Sequence, residues 1–230
     1  MQLLKDIFYL FFPNSCATCS KALLQNELIL CIQCRHKLPI ISYNDYTNNK
    51  IVTSFYGRVP INKAVSFFYY QKQGITQRLI QELKYKNNQK IGAFIGNWLG
   101  HQLRESNEFN NIDYIIPVPL HPKKLKKRGY NQLTLFGESL SRILNITYNP
   151  NLLIKKSMTH TQTLKHRLNR FSNTSTSFSL NTPTVLANKH ILLIDDVITT
   201  GATIEACCNE LLKVPNITIS IATMAYTEMY

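Results

Sequence analysis

Long apolar runs are absent. No stretch of the chain approaches the ~20 consecutive apolar residues of a membrane-spanning helix, so no such span is expected. Acidic residues are scarce: 13 Asp and Glu stand against 26 Lys and Arg in 230 residues, a formal charge of +13. That imbalance points to polyanionic partners (nucleic acid, phosphorylated metabolites or an anionic membrane surface) without choosing among them. No Gly-x4-Gly-Lys-Ser/Thr occurs, which excludes a Walker-type P-loop. There is no internal repeat and no long low-complexity tract, although residues 172–179 are rich in Ser and Thr. The apolar residues 3–12 lack the basic start and small-residue cleavage site of a secretory signal. Two readings of that stretch stand: a short helix packed on the next module, or a segment that meets a membrane surface as a peripheral contact.

What is present is concentrated in one run, HILLIDDVITTGAT, residues 190–203. Branched apolar residues without polar interruption predict a strand buried on both faces of a parallel sheet. Two carboxylates follow, Asp195 and Asp196, then a turn of Thr199, Thr200, Gly201, Ala202 and Thr203, then an apolar-periodic helix over 204–212. Ligands of open α/β sheets sit at the carboxyl ends of strands, where this turn lies. Gly201 permits a sharp turn that aims successive N–H groups at one anion beside a helix N-terminus. The acids cannot hold that anion, but they accept hydrogen bonds from vicinal hydroxyls or hold a hydrated Mg²⁺. Phosphate donors beside diol acceptors describe a ribose 5-phosphate site. The bland alternative is a buried strand that ends in Asp-Asp, with Thr200 an ordinary helix cap.

Cys16, Cys19, Cys31 and Cys34 form two Cys-x2-Cys pairs. Their spacing predicts a tetrahedral Zn²⁺ site whose binding supplies most of the folding energy of this short segment. Two disulfides would require an oxidising compartment, which the missing signal argues against. Cys207 and Cys208 fall on the helix after the Thr/Gly turn and read as buried thiols. Residues 39–60 read as a polar linker. The expected organisation is a zinc-knuckle module with linker over 1–58 and an α/β domain over 59–230.

Within that domain a strand is expected over 64–70 and an amphipathic helix over 74–85, ending in Lys84-Tyr85-Lys86. A second helix is expected over 89–104, and a buried strand over 111–119 halted by Pro117 and Pro119. Between His121 and Arg170 eleven Lys or Arg (123, 124, 126, 127, 128, 142, 155, 156, 165, 167, 170) meet one acid, Glu138. Lys123, Lys124, Lys126, Lys127 and Arg128 form a basic loop ahead of a helix over 131–144. Such a run can hold a diphosphate or track a nucleic-acid backbone; a solvated loop, the usual reading of a charge run, is set aside because this one follows a sheet strand and precedes a new helix.

Four features together resemble one family, the competence protein F (ComF) proteins, which are phosphoribosyltransferase-like. They are the paired Cys-x2-Cys module, Leu83-Lys84-Tyr85, the block from Pro117-Val118-Pro119-Leu120-His121 to Arg128-Gly129-Tyr130-Asn131-Gln132, and the run from Asp195 to Thr203. A looser fifth match runs from Gln162-Thr163 to Arg170 and Asn173, with Phe178. The resemblance implies a type I phosphoribosyltransferase-like parallel sheet flanked by helices, with a small zinc-binding module ahead of it. It implies that Asp195, Asp196, Thr199, Thr200, Gly201, Ala202, Thr203, Lys84, Tyr85 and Asn131 bind PRPP with Mg²⁺. It further implies a cytoplasmic role in natural transformation, handling incoming single-stranded DNA through Lys123, Lys124, Lys126, Lys127, Arg128, Arg167 and Arg170.

Three functional readings follow. As a transferase, the protein would move ribose 5-phosphate from PRPP to a base or amine, with Asp195, Asp196, Lys84 and Arg128 as the catalytic set stabilising charge. As a binding protein, it would hold a ribose phosphate, PRPP or a single strand without turnover, its aromatics stacking on bases. As a scaffold, its zinc module would dock other DNA-transport proteins at the inner face of the membrane.

Overall fold

The computed structural model describes residues 14–155 and 178–228. The 3–12 segment, and the stretch that carries Arg167 and Arg170, lie outside them. Seven strands are described: β1 (Ala64–Tyr69), β2 (Tyr114–Pro117), β3 (Thr147–Tyr148), β4 (Leu153–Lys155), β5 (Phe178–Leu180), β6 (His190–Ile198) and β7 (Thr218–Tyr226). Five form one sheet in the order β1-β7-β6-β2-β3, every neighbour parallel, while β4 and β5 pair as an antiparallel ribbon. The helices are α1 (Ile32–His36), α2 (Lys50–Thr53), α3 (Ile75–Tyr85), α4 (Lys90–Ser106), α5 (Pro122–Arg128), α6 (Thr134–Leu144) and α7 (Ala202–Leu211). Among the described residues no helix is long and apolar enough to cross a membrane.

β6 is the central strand, which accounts for its apolar run: Ile191, Leu192, Leu193 and Ile194 are buried completely. The strand does not stop at the acids. β7 pairs with it in register from His190↔Thr218 through Asp195↔Thr223 to Ile198↔Tyr226. Side chains alternate across a strand, so Asp195 and Asp196 emerge on opposite faces of the sheet. Asp196 faces α3 and the turn before α6, whereas Asp195 faces α7.

Two helices of the Asp196 face, α4 and α6, approach closely. A Cβ at Gly96 would lie 2.6 Å from the Phe136 carbonyl oxygen, so only glycine permits this crossing. That packing fixes the start of α6, and with it the residues just before it that enter the site.

Two expectations are corrected. The basic run over 122–128 is a helix, α5, rather than a loop. Its ends explain why: Pro122 opens it, the His121 Nδ1 accepts from the Lys123 N–H at 3.1 Å, and Gly129 closes it at φ 80°. Its last turn carries Lys126, Lys127 and Arg128, the sign a helix C-terminus favours.

Residues 39–60 are also more than a linker. Ile41 N–H donates to Phe67 O, Tyr69 N–H to Pro39 O and Ala64 N–H to Tyr46 O, so this segment covers the free edge of β1. Ile51, Val52, Phe55 and Val59 are buried in the same core as the sheet.

Candidate functional site

The four cysteines of the N-terminal module converge. Their sulfurs all lie within 4.8 Å of one another, and Cys19 Sγ is 3.7 Å from Cys31 Sγ. Four thiolates at ~2.3 Å from one ion would sit about 3.8 Å apart, so the donor set fits a tetrahedral metal centre. All four are free thiols. Cys16 Sγ accepts the Cys31 N–H at 3.4 Å and lies 3.3 Å from Thr18 Oγ1, contacts that orient a thiolate. The centre is tied to helices α3 and α4: Arg35 stands 4.7 Å over the Trp98 ring of α4, and Arg78 of α3 donates to Thr18 O at 3.2 Å.

At the other centre, β6 hands the chain to the Thr/Gly turn. Gly201 adopts φ 75° and caps α7, and the Ala202 N–H points to Thr200 Oγ1 at 3.4 Å. Thr199, Thr200, Ala202 and Thr203 are exposed while Gly201 is buried. What buries it is Phe55: a Cβ on Gly201 would lie 2.9 Å from that ring. The turn thus presents hydroxyls and the N-terminal end of α7 to solvent from a fixed seat.

The acid pair is buried, Asp195 at 9% and Asp196 at 6% exposure. Asp196 is held by two partners: Lys84 Nζ donates to Oδ1 at 2.8 Å and Gln132 Nε2 to Oδ2 at 2.6 Å. Asp195 Oδ1 accepts the Asp196 N–H at 2.8 Å. Burial first, and the charge of Asp196 second, push the Asp195 carboxyl up to about 8. On the Asp195 side lie Cys207 of α7 and Lys155 at the end of β4, whose charge opposes that rise. Burial holds Lys155 itself below the usual lysine range.

The network extends from Asp196 into α5. Arg128 Nη1 donates to Gln132 Oε1, and its guanidinium stands 5.6 Å from the Tyr85 ring centroid. Tyr130 Oη donates to Leu83 O, which pins the end of α5 to the end of α3 and places Lys84 beside the acids. Lys84, Tyr85, Asn87, Lys124, Lys127, Arg128 and Tyr130 line a cleft of about 380 Å³. Tyr85 is 76% exposed, so its ring is available for stacking.

Lys84, Asp196 and Arg128 are therefore brought together as the motifs anticipated, with Tyr85, Lys124 and Lys127 around them. Lys123 and Lys126 are exposed on α5 and do not line the cleft. Asn131 turns inward on its own backbone, its Oδ1 accepting the Leu133 N–H at 3.0 Å. Gln132 was quoted within a motif but given no role; its spacing of four from Arg128 was the available signal. Tyr130 was likewise quoted within that motif without a role, and Lys155 only counted in the basic cluster, while Arg58 and Phe55 carried no local signal.

No family model matches the chain. Among curated proteins, competence protein F of Haemophilus influenzae is 33% identical over 139 residues, 59% of this chain and 61% of that protein. DNA utilization protein YhgH of Escherichia coli O157:H7 is 27% identical over 152 residues, 65% of this chain and 66% of that protein. The matched regions thus span less than two thirds of these relatives. The resemblance to competence protein F carried by the motifs is borne out by this similarity. Among solved structures, an adenine phosphoribosyltransferase aligns with a TM-score of 0.37 at 20% identity, covering 68% of this chain and 72% of that one. Glutamine PRPP amidotransferase from B. subtilis, complexed with ADP and GMP, aligns with a TM-score of 0.40 at 16% identity, covering 61% and 30%.

Proposed function

We propose that this chain binds a ribose 5-phosphate ligand, PRPP in the first instance, and single-stranded DNA, in the handling of DNA taken up during natural competence. The observation that carries the reading is the continuous network Lys84–Asp196–Gln132–Arg128–Tyr85 at the carboxyl end of β6, one step from the Thr/Gly turn. The turn would hold the 5-phosphate and the acids the ribose hydroxyls. The cations of α5 would meet the diphosphate or a DNA backbone. Mg²⁺ would arrive with the diphosphate, and its charge would offset the repulsion from Asp196 that, after burial, raises the Asp195 carboxyl.

Competence protein F and YhgH, by their names, belong to competence and DNA utilization, which supports placing the ligand chemistry in that setting. The cytoplasm is the compartment proposed, with other DNA-transport proteins as partners. Zn²⁺ is the metal proposed for the four thiolates, because soft tetrahedral S4 sites favour it.

The test is calorimetric titration of zinc-loaded protein with PRPP and Mg²⁺, followed by a diphosphate-release assay with bases, amines or single-stranded DNA added. Binding without release is the expected outcome. Release on one addition would make the protein a transferase and identify its acceptor class. No binding would remove the ribose phosphate reading.

A further inference from the structure

An acid stands where the phosphate loop least favours one. Glu205 lies in the first turn of α7, the end whose unpaired N–H groups and dipole attract an anion. Left bare, its carboxylate would compete for that positive end and repel a bound phosphate. One side chain answers it. Arg58 Nε donates to Glu205 Oε2 at 2.9 Å and Nη2 donates to the same oxygen, while Nη1 donates to Thr200 O at 3.0 Å and to Ser54 O at 3.3 Å. The guanidinium stands 5.3 Å from the centroid of the Phe55 ring, the ring on which Gly201 is seated. Arg58 therefore neutralises the acid in the first turn of the loop's helix and holds the Thr200 carbonyl with its oxygen engaged rather than turned toward the anion.

Resting on the ribose 5-phosphate reading above, we infer that Arg58 is a positioning residue of the phosphate loop and that the Arg58–Glu205 pair sets the loop's affinity for phosphate. The pair is about 30% exposed on both sides (29% and 32%). Exposed pairs add little to folding stability, so the effect falls on ligand affinity rather than on the fold. Since Arg58 and Phe55 belong to the segment that covers β1, the N-terminal part of the chain reaches the phosphate loop through the polar contacts of Arg58 with Thr200 and Glu205 and the packing of Phe55 on Gly201.

The experiment is titration of the full, zinc-loaded chain with ribose 5-phosphate, for wild type, Arg58→Gln, Glu205→Gln and the double variant, with melting temperature and bound zinc measured on each. Arg58→Gln is expected to melt like wild type and to bind about tenfold more weakly, the effect of one unpaired carboxylate within ~10 Å of a phosphate. That loss should shrink in 1 M salt, where such a field is screened within about 3 Å. The double variant should return to within about threefold of wild type, because the offending charge is gone. A double variant as weak as Arg58→Gln, or an Arg58→Gln protein that binds like wild type, overturns the inference. Wild type that fails to bind ribose 5-phosphate overturns instead the reading of the loop, and this inference with it.

Discussion

Asp195→Asn should make the ligand-free protein more stable, and by an amount that grows with pH. Asp195 is 9% exposed beside the charge of Asp196, and its carboxyl is raised from 3.8 to about 8. In the unfolded chain it loses its proton near pH 4; in the fold it holds that proton to about pH 8. Between those values the folded state binds the extra proton, so stability falls as pH rises and levels off above about 8. The span bounds the cost of ionising Asp195 in place at on the order of 5 kcal/mol, since a tenfold change in proton affinity is about 1.4 kcal/mol. Local relaxation and water entry reduce what is realised to about 2 kcal/mol. For a chain of this size that is a rise in Tm of roughly 4–8 °C at pH 8.5 and a much smaller one near pH 5.

Asn removes the charge and keeps an Oδ1 to accept the Asp196 N–H, so the strand is undisturbed. Thermal melts of both proteins from pH 5 to 8.5 provide the assay. Metal-bound thiolates titrate equally in both, so the difference isolates Asp195. A gain that does not change with pH, or a loss, would refute the reasoning.

Removing the metal should be visible in the single tryptophan of the chain. Arg35 stands over Trp98, so a strong chelator added to metal-loaded protein should free the knuckle, red-shift the Trp98 emission and release one metal ion per chain, Zn²⁺ on the proposed assignment. An unchanged spectrum on complete extraction would uncouple the two. For nucleic acid, Lys124→Ala and Lys127→Ala should each lower the salt slope of single-strand binding by about 0.7, the value of one lost phosphate contact, while Lys123→Ala, off the cleft, should not. Equal slopes for all three would move the DNA path away from the α5 cleft.

The parts of the site that were legible in the sequence are those with local signals. The run through β6, the acids and the glycine turn specifies its structure within fourteen neighbouring residues, and the paired Cys-x2-Cys knuckles need only their own spacing. Lys84 stood out only through the resemblance of Leu83-Lys84-Tyr85 to the family motif, since a cation in the last turn of a helix is otherwise ordinary. The α5 helix was obscured because its charge run drew attention from its caps, Pro122 and Gly129. The cover over β1 was obscured because Ile51, Val52, Phe55 and Val59 sit among polar residues with no regular period, so composition read as linker. Arg58 was beyond reach for a different reason: its partner Glu205 lies 147 residues away, a distance only the fold closes. The same holds for Gln132 and Asp196, 64 residues apart.

The central claim, a ribose phosphate site built on β6, is tested most directly by titrating PRPP with Mg²⁺ into wild type and into the Asp195→Asn/Asp196→Asn protein. The account predicts saturable binding by wild type and none by the variant at concentrations a hundredfold higher, with the variant's sheet intact by circular dichroism. Equal affinity in the two proteins would contradict it.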